Sequence, residues 1–471
     1  MVRFVRWLLL FAALPVFAQQ YDIVLNNGRL IDPASNTDAI RSVGVNGTKI
    51  AEIAARPLMA RTVIDAHGLV ISPGFIDLHS HGQTPENYAF KARDGVTTAL
   101  EMEVGVWPVQ PWYAAREGKA LVNYGATSGH LGALMVVMHD SNAGKLLPRD
   151  AAVKRVPNAD EWRETYNDVQ AGLQEGALGI GLGIAYVPET PRSQILELFG
   201  LAAQYKRPVY VHMRNGGPIE PGVIDALQEV ISDAAVTGAS LHVVHITSMG
   251  LRQTELCLNI IAGADKHGLD ITTEAYPYTA GMTDISSAIF SPGWEGRQGG
   301  ITYHDLQWAA TGERLTPESF ARYRKVGGMV AIHSIPEDVV RLAMANPAVM
   351  IASDGILDHG KGHPRAAGTY ARVLGRYVRQ EHALSLMDAI RKMSFEPAQR
   401  LQLPNKGRIT VGADADITLF DPERVIDRAT FENPAQYSDG IPYVLVNGTL
   451  VVKESVIQDR TFPGTGLRYS H

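Results

Sequence analysis

The sequence predicts an α/β protein: a (β/α)8, TIM-like barrel carrying a small composite β-sandwich built from both chain ends. Three observations predict it. Eight apolar stretches alternate with amphipathic ones through the middle of the chain, the pattern of parallel strand–helix units. Short strand-like runs separated by turn signals occupy both ends. The Gly-rich phosphate turn that often follows the first strand of an open doubly wound sheet is missing, which argues for closure into a barrel.

Taken in order, residues 1–18 read as a signal peptide. Arg3 and Arg6 precede an apolar run from Trp7 to Phe17, and Val16-Phe17-Ala18 ends it with small residues at the expected cleavage positions. The run is short for a bilayer span. An exported protein, periplasmic or secreted, with no stable membrane span after cleavage is therefore expected; an uncleaved anchor is the alternative. Residues 19–72 carry turn signals at Asn26-Asn27-Gly28, Asn46-Gly47 and His67-Gly68. Residues 404–471 have the same texture, with strands over Asp414–Phe420 and Tyr443–Val446 and a hairpin turn at Asn447-Gly448. Together they are expected to form the sandwich.

Residues 73–403 form the expected barrel. Its strands are predicted at 73–79, 97–103, 120–127, 178–184, 208–213, 240–246, 269–276 and 348–353. Helices between them show one apolar face, as in Ile195, Leu198, Phe199 and Ala202, or Val223, Leu227, Val230 and Ala234. The span 279–347 is long for one connection and reads as an insertion or lid.

Composition narrows the function. The 471 residues are 45% hydrophobic and 20% charged with a net charge of -6, so no basic field exists to hold nucleic acid. Cys257 is the single cysteine, which excludes an internal disulfide, and its neighbours Leu256 and Leu258 predict a buried structural thiol.

The chemistry starts at Pro73-Gly74-Phe75-Ile76-Asp77-Leu78-His79-Ser80-His81. Two histidines two residues apart at a strand end share a face and can meet one cation, at the barrel end where such enzymes place their chemistry. His212 and His245 each end an apolar strand and should emerge at the same rim. His242, three residues before His245, is expected to face the other way, deeper, as a structural residue. Asp354, ending the last strand, could bind metal and carry a proton. A carboxylate is also expected from Glu101 or Glu103 on the second strand; Glu103, nearer the strand's end, is preferred.

In this order the residues resemble the amidohydrolase superfamily, and within it the N-acyl-D-amino-acid deacylases, or D-aminoacylases. The resemblance covers nearly all of the chain after residue 18. It runs through Gly74–His81, Asp94-Gly95-Val96-Thr97-Thr98, Glu175–Gly179, Gly183–Pro188, Glu274-Ala275-Tyr276-Pro277-Tyr278-Thr279-Ala280, Ser353-Asp354-Gly355, His363-Pro364-Arg365, Arg372–Tyr377, and Lys406–Ile409 to Phe420-Asp421-Pro422. It implies a barrel with a composite β-sandwich and a site for one or two zinc ions (Zn2+), another divalent metal being the alternative. His79, His81, His212 and His245 then match metal ligands, and Asp354 matches the ligand that doubles as general base and acid. Arg365 matches an arginine that holds the substrate's carboxylate, by the forked pairing guanidinium favours. Tyr186 and Tyr278 are expected to line the pocket.

Two departures stand out. Members carry a bridging cysteine in an Asn-Cys-Gly stretch; here Glu103-Val104-Gly105 stands in its place, so Glu103 is expected to bridge as a harder ligand that cannot be oxidised. The lysine of a His-Leu-Lys stretch is replaced in His245-Ile246-Thr247. The expected reaction is metal-dependent hydrolysis of a C–N amide bond in a small-molecule substrate, an N-acyl amino acid or related amide. The alternatives are a hydrolase of cyclic amides or lactones on the same site, and a metal-binding periplasmic protein without turnover.

Overall fold

The structure, a computed structural model, describes residues 21–469; the expected signal segment, 1–18, lies outside the described residues. Eight strands form one all-parallel sheet: β1 (Phe75–Asp77), β2 (Val96–Val106), β3 (Asn123–Gly129), β4 (Ile180–Gly183), β5 (Val209–His212), β6 (Leu241–Val243), β7 (Ile271–Ala275) and β8 (Val349–Ile351). They pair in sequence order, each strand beside its predecessor. Between β8 and β1 the barrel closes by a short contact rather than a ladder. Asp354 N–H donates to His79 O at 2.6 Å, Gly82 N–H donates to Gly355 O at 3.0 Å, and Ser80 bridges Gly355.

The expected fold class therefore holds. Alternation of the strands explains it: Val209 and Val211 on β5, Leu241 and Val243 on β6, and Val349 and Ile351 on β8 pack outward into the core shared with the helices. Tyr210 and Met350 join Ile76, Leu100 and Leu178 in a separate cluster that fills the barrel. The predicted helical faces are buried. Helix Arg192–Tyr205 sinks Ile195, Leu198, Phe199 and Ala202, and helix Val223–Thr237 sinks Val223, Leu227, Val230 and Ala234 before Gly238 ends it at a φ of 75°. Cys257 is buried on helix Thr254–Lys266. No helix among the described residues is long and apolar enough to cross a membrane.

Both chain ends enter one nine-stranded sheet. Strands Tyr21–Asp32, Thr37–Asn46, Lys49–Ala54, Ala60–Asp65 and Val70–Pro73 come from one end, and Ile417–Phe420, Tyr443–Val446, Thr449–Lys453 and Val456–Ile457 from the other. The seam joins Val70–Pro73 to Ile417–Phe420, antiparallel. Leu25, Val43, Ile71, Ile417 and Leu445 share its core. The last residues cross the floor of the barrel: Gly464 N–H donates to Ala120 O, Leu467 N–H to Tyr124 O and Tyr469 N–H to Gly176 O, while Leu467 and Tyr469 pack on the barrel-filling cluster.

Within the span 279–347 a three-stranded antiparallel sheet (Gly281–Asp284, Met329–Ile332, Leu306–Trp308, with Met329–Ile332 central) has its own aromatic core around Phe290, Trp294 and Trp308. Helix Glu337–Ala345 instead buries Val339, Val340 and Ala343 in the core shared with the barrel helices.

Candidate metal centre

Six side chains from five strands meet at the carboxyl end of the barrel. His79 and His81 follow β1, Glu103 sits in β2, His212 ends β5, His245 follows β6 and Asp354 follows β8. The Glu103 carboxylate lies at the centre. Its Oε2 is 3.2 Å from His79 Nε2 and 3.1 Å from His81 Nε2; its Oε1 is 2.6 Å from His212 Nδ1 and 3.0 Å from His245 Nε2. Asp354 Oδ1 completes the first group, 3.4 Å from His79 Nε2 and 3.2 Å from His81 Nε2. Two ligand sets thus share one carboxylate: His79, His81, Glu103 and Asp354, and Glu103, His212 and His245.

The backbone leaves regular strand geometry to achieve this. His79 and His81 lie beyond β1, with rings edge to face at 4.8 Å and Nε2 atoms 3.1 Å apart. His245 and Asp354 do not end their strands as expected. Each lies just past the strand with a left-handed φ, 32° and 52°, which turns the side chain inward. Glu103 is raised by a break in register between Glu101 and Val106 on β2, with Gly105 at a φ of 63°. β4 makes room for it: a Cβ on Gly181 would lie 2.5 Å from Glu103 O. Gly105 and Gly181 are the sequence signal of this bend and close approach.

Outer carboxylates orient the rings. His81 Nδ1 is 2.8 Å from Glu101 Oε2, and His79 Nδ1 is 2.9 Å from Glu274 Oε1. With Nδ1–H donated outward, each Nε2 lone pair points into the cluster. Glu101 is thus an orienting group while Glu103 spans the two sets. His242 does not face away from the barrel. It packs below the cluster against Tyr210, with Nδ1 2.7 Å from Thr272 Oγ1, because the chain turns sharply after Val243 and brings His245 to the inner face as well.

The other expected site residues divide. Tyr186 lines the cavity beside the cluster, its ring 4.8 Å from that of His212. Tyr278 does not. It is buried with its hydroxyl 3.5 Å from Asp427 Oδ2 and Pro364 O, and Tyr276, two residues earlier, takes the wall, with Ser248 beside its hydroxyl. Arg365 is 1% exposed and directed at Asp354, with Nη1 2.9 Å from Oδ2 and the guanidinium over the Tyr276 ring. The cavity is about 790 Å³, with His212, His245 and Asp354 at its base and Met282 and Ile332 of the inserted sheet in its wall.

Electrostatics favour a cation here. Burial alone would keep His79 neutral, but the carboxylates of Asp354, Glu103 and Glu274 outweigh it and push the imidazole up to about 10. His81 moves up for the same reason, with Glu101 foremost among its carboxylates. Burial would raise Glu103 and Asp354; the surrounding histidines, and Arg365 for Asp354, override it and hold both carboxyls below their usual range. Imidazole nitrogens and carboxylate oxygens packed at 2.6–3.4 Å fit one or two divalent ions of the zinc type.

The amidohydrolase family model matches residues 62–452. N-acyl-D-glutamate deacylase of Alcaligenes xylosoxydans xylosoxydans is 28% identical, over 96% of this chain and 97% of that one. D-aminoacylase of the same organism is 29% identical over 93% and 96%. Among solved structures, the N-acyl-D-glutamate deacylase of Bordetella bronchiseptica, complexed with zinc and a phosphonate mimic of the tetrahedral intermediate, superposes with a TM-score of 0.82 at 27% identity, over 96% of this chain and 100% of that one.

Proposed function

Since the chain belongs to the amidohydrolase family, we propose that it hydrolyses the C–N amide bond of N-acyl amino acids or related small amides, with zinc held by His79, His81, Glu103, His212, His245 and Asp354. The observation that carries this reading is the Glu103 carboxylate, each oxygen facing its own pair of histidines at the base of an open cavity.

Held by these residues, zinc would supply a Lewis acid for the scissile carbonyl and would acidify water. The chain's own groups do the rest. Asp354, kept ionised by Arg365, accepts a proton from the attacking water through Oδ1 and passes it to the leaving nitrogen. Tyr276, with its hydroxyl at the wall, offers a donor for charge developing on the carbonyl oxygen. The inserted sheet narrows the cavity and limits water.

The names of the relatives support N-acyl-D-amino acids as the first substrates to test. The test is release of free amino acid from a panel of N-acyl-D- and N-acyl-L-amino acids, hydantoins and lactones by zinc-loaded protein. Turnover of the first group supports the proposal, and a zinc-loaded protein inert on every member overturns it. One observation favours cyclic amides as a second reading. Arg365, the arginine expected to hold a substrate carboxylate, faces Asp354, and Arg214 at the cavity is paired with Glu229; Arg297 in the same wall donates, among the described residues, only to the carbonyls of Ser291 and Pro292.

Export is also proposed, on Arg3, Arg6 and the apolar run ending at Ala18. N-terminal sequencing of protein recovered from the periplasmic fraction tests it: a start near residue 19 supports export, and an intact Met1 on cytoplasmic protein sinks it.

A further inference from the structure

Glu274 stands outside both ligand sets yet touches each of them. It lies on β7, 1% exposed, and its Oε1 accepts two hydrogen bonds. One comes from the ring of His79, from Nδ1 at 2.9 Å; the other comes from the main chain of His245, from N–H at 2.9 Å. His79 belongs to the group facing Glu103 Oε2 and His245 to the group facing Oε1. One carboxylate oxygen therefore grips a member of each set, and the two rings lie 5.4 Å apart.

The two grips differ in kind. For His79 the bond fixes the tautomer, leaving Nε2 free to bind. His245 has no such partner on its ring, because its Nδ1 is buried and unbonded. Its orientation depends instead on the left-handed backbone at a φ of 32°, and Glu274 holds that backbone by its N–H. Glu101, by contrast, reaches His81 alone.

We propose that Glu274 is a positioning residue that couples the two halves of the centre, setting the affinity of both ion sites at once, while Glu101 sets only one. The inference rests on the reading of the cluster as a metal centre. Partners of this kind are worth about 10- to 100-fold in metal affinity when removed.

The test uses full-length protein stripped by chelator and titrated with zinc alone, with bound equivalents counted by elemental analysis after equilibrium dialysis. The visible spectrum of the cobalt(II) form reports ligand geometry independently of turnover. Wild type is expected to bind two equivalents. Glu274→Gln is expected to loosen both by about 10- to 100-fold and to alter the cobalt spectrum, and Glu101→Gln to loosen one. Glu274→Asp keeps the charge and shortens the reach by one methylene; it is expected to loosen both, and it replaces Glu274→Gln if that variant does not fold. Unchanged binding in the Glu274 variants, or loosening of one equivalent only, overturns the coupling and leaves the metal reading standing. A wild type that binds one equivalent overturns the coupling, and one that binds none overturns both readings.

Discussion

Asp354 divides its contacts between two oxygens, Oδ1 toward His79 and His81 and Oδ2 toward Arg365. Asp354→Asn removes the proton carrier and leaves the four histidine–carboxylate contacts of Glu103 intact. It should retain most of the metal and lose about 10²–10⁴-fold in kcat, checked by steady-state kinetics beside elemental analysis. The histidines make a second prediction. His79 titrates near 10 in the metal-free fold against 6.5 ordinarily, so its contribution to stability is full below about 6.5 and is lost as pH rises through about 10. Zinc-free protein should therefore lose melting temperature from about pH 6.5 to about pH 10, and zinc uptake should release protons, seen by calorimetry in two buffers of different ionisation heat. The four ligand histidines and Asp354 were legible as polar residues ending apolar runs. Tyr276 was not, because the chain leaves the strand after Ala275 and a bend, not the period of two, decides which tyrosine faces the cavity.

At the scale of elements, the weak point of the barrel is the join of β1 to β8, and a buried polar group holds it. Lys91 Nζ lies 2.8 Å from Asp77 Oδ2 and 2.6 Å from Ser353 Oγ, and Ser353 Oγ donates to the same carboxylate at 2.6 Å. Lys91→Met would leave Asp77 buried without its cation, which costs about 3–5 kcal/mol, measured by urea unfolding. The β2–β4 contact gives a subtler case. Gly181→Ala pushes a methyl against Glu103 O, at a cost of about 1–3 kcal/mol; zinc affinity should fall with it, read by competition with a chelator. All eight strands were visible as apolar runs, since each packs one face on helices and one on the barrel interior. Their ends were not, because the last residues bend inward, through positive φ at His245 and Asp354, to reach the site.

For the molecule as a whole, the same tail that ends the chain closes the barrel floor, through main-chain bonds from Gly464, Leu467 and Tyr469 and the packing of Leu467. Ending the chain after Phe462 should lower the melting temperature yet spare zinc stoichiometry, since the centre is at the opposite mouth; loss of zinc from the folded remainder would contradict this. Nothing in the periodicity of residues 463–469 announces that role, because a single extended segment makes no pattern of its own. The sheet of both ends has a further consequence for how the protein is made. Ser72 and Thr418, 346 positions apart, are neighbours across its seam. A ribosome that has finished the barrel has not yet delivered the partner of Val70–Pro73, so the nascent chain carries an open strand edge until near the end of synthesis. That edge is where premature association between unfinished chains would begin.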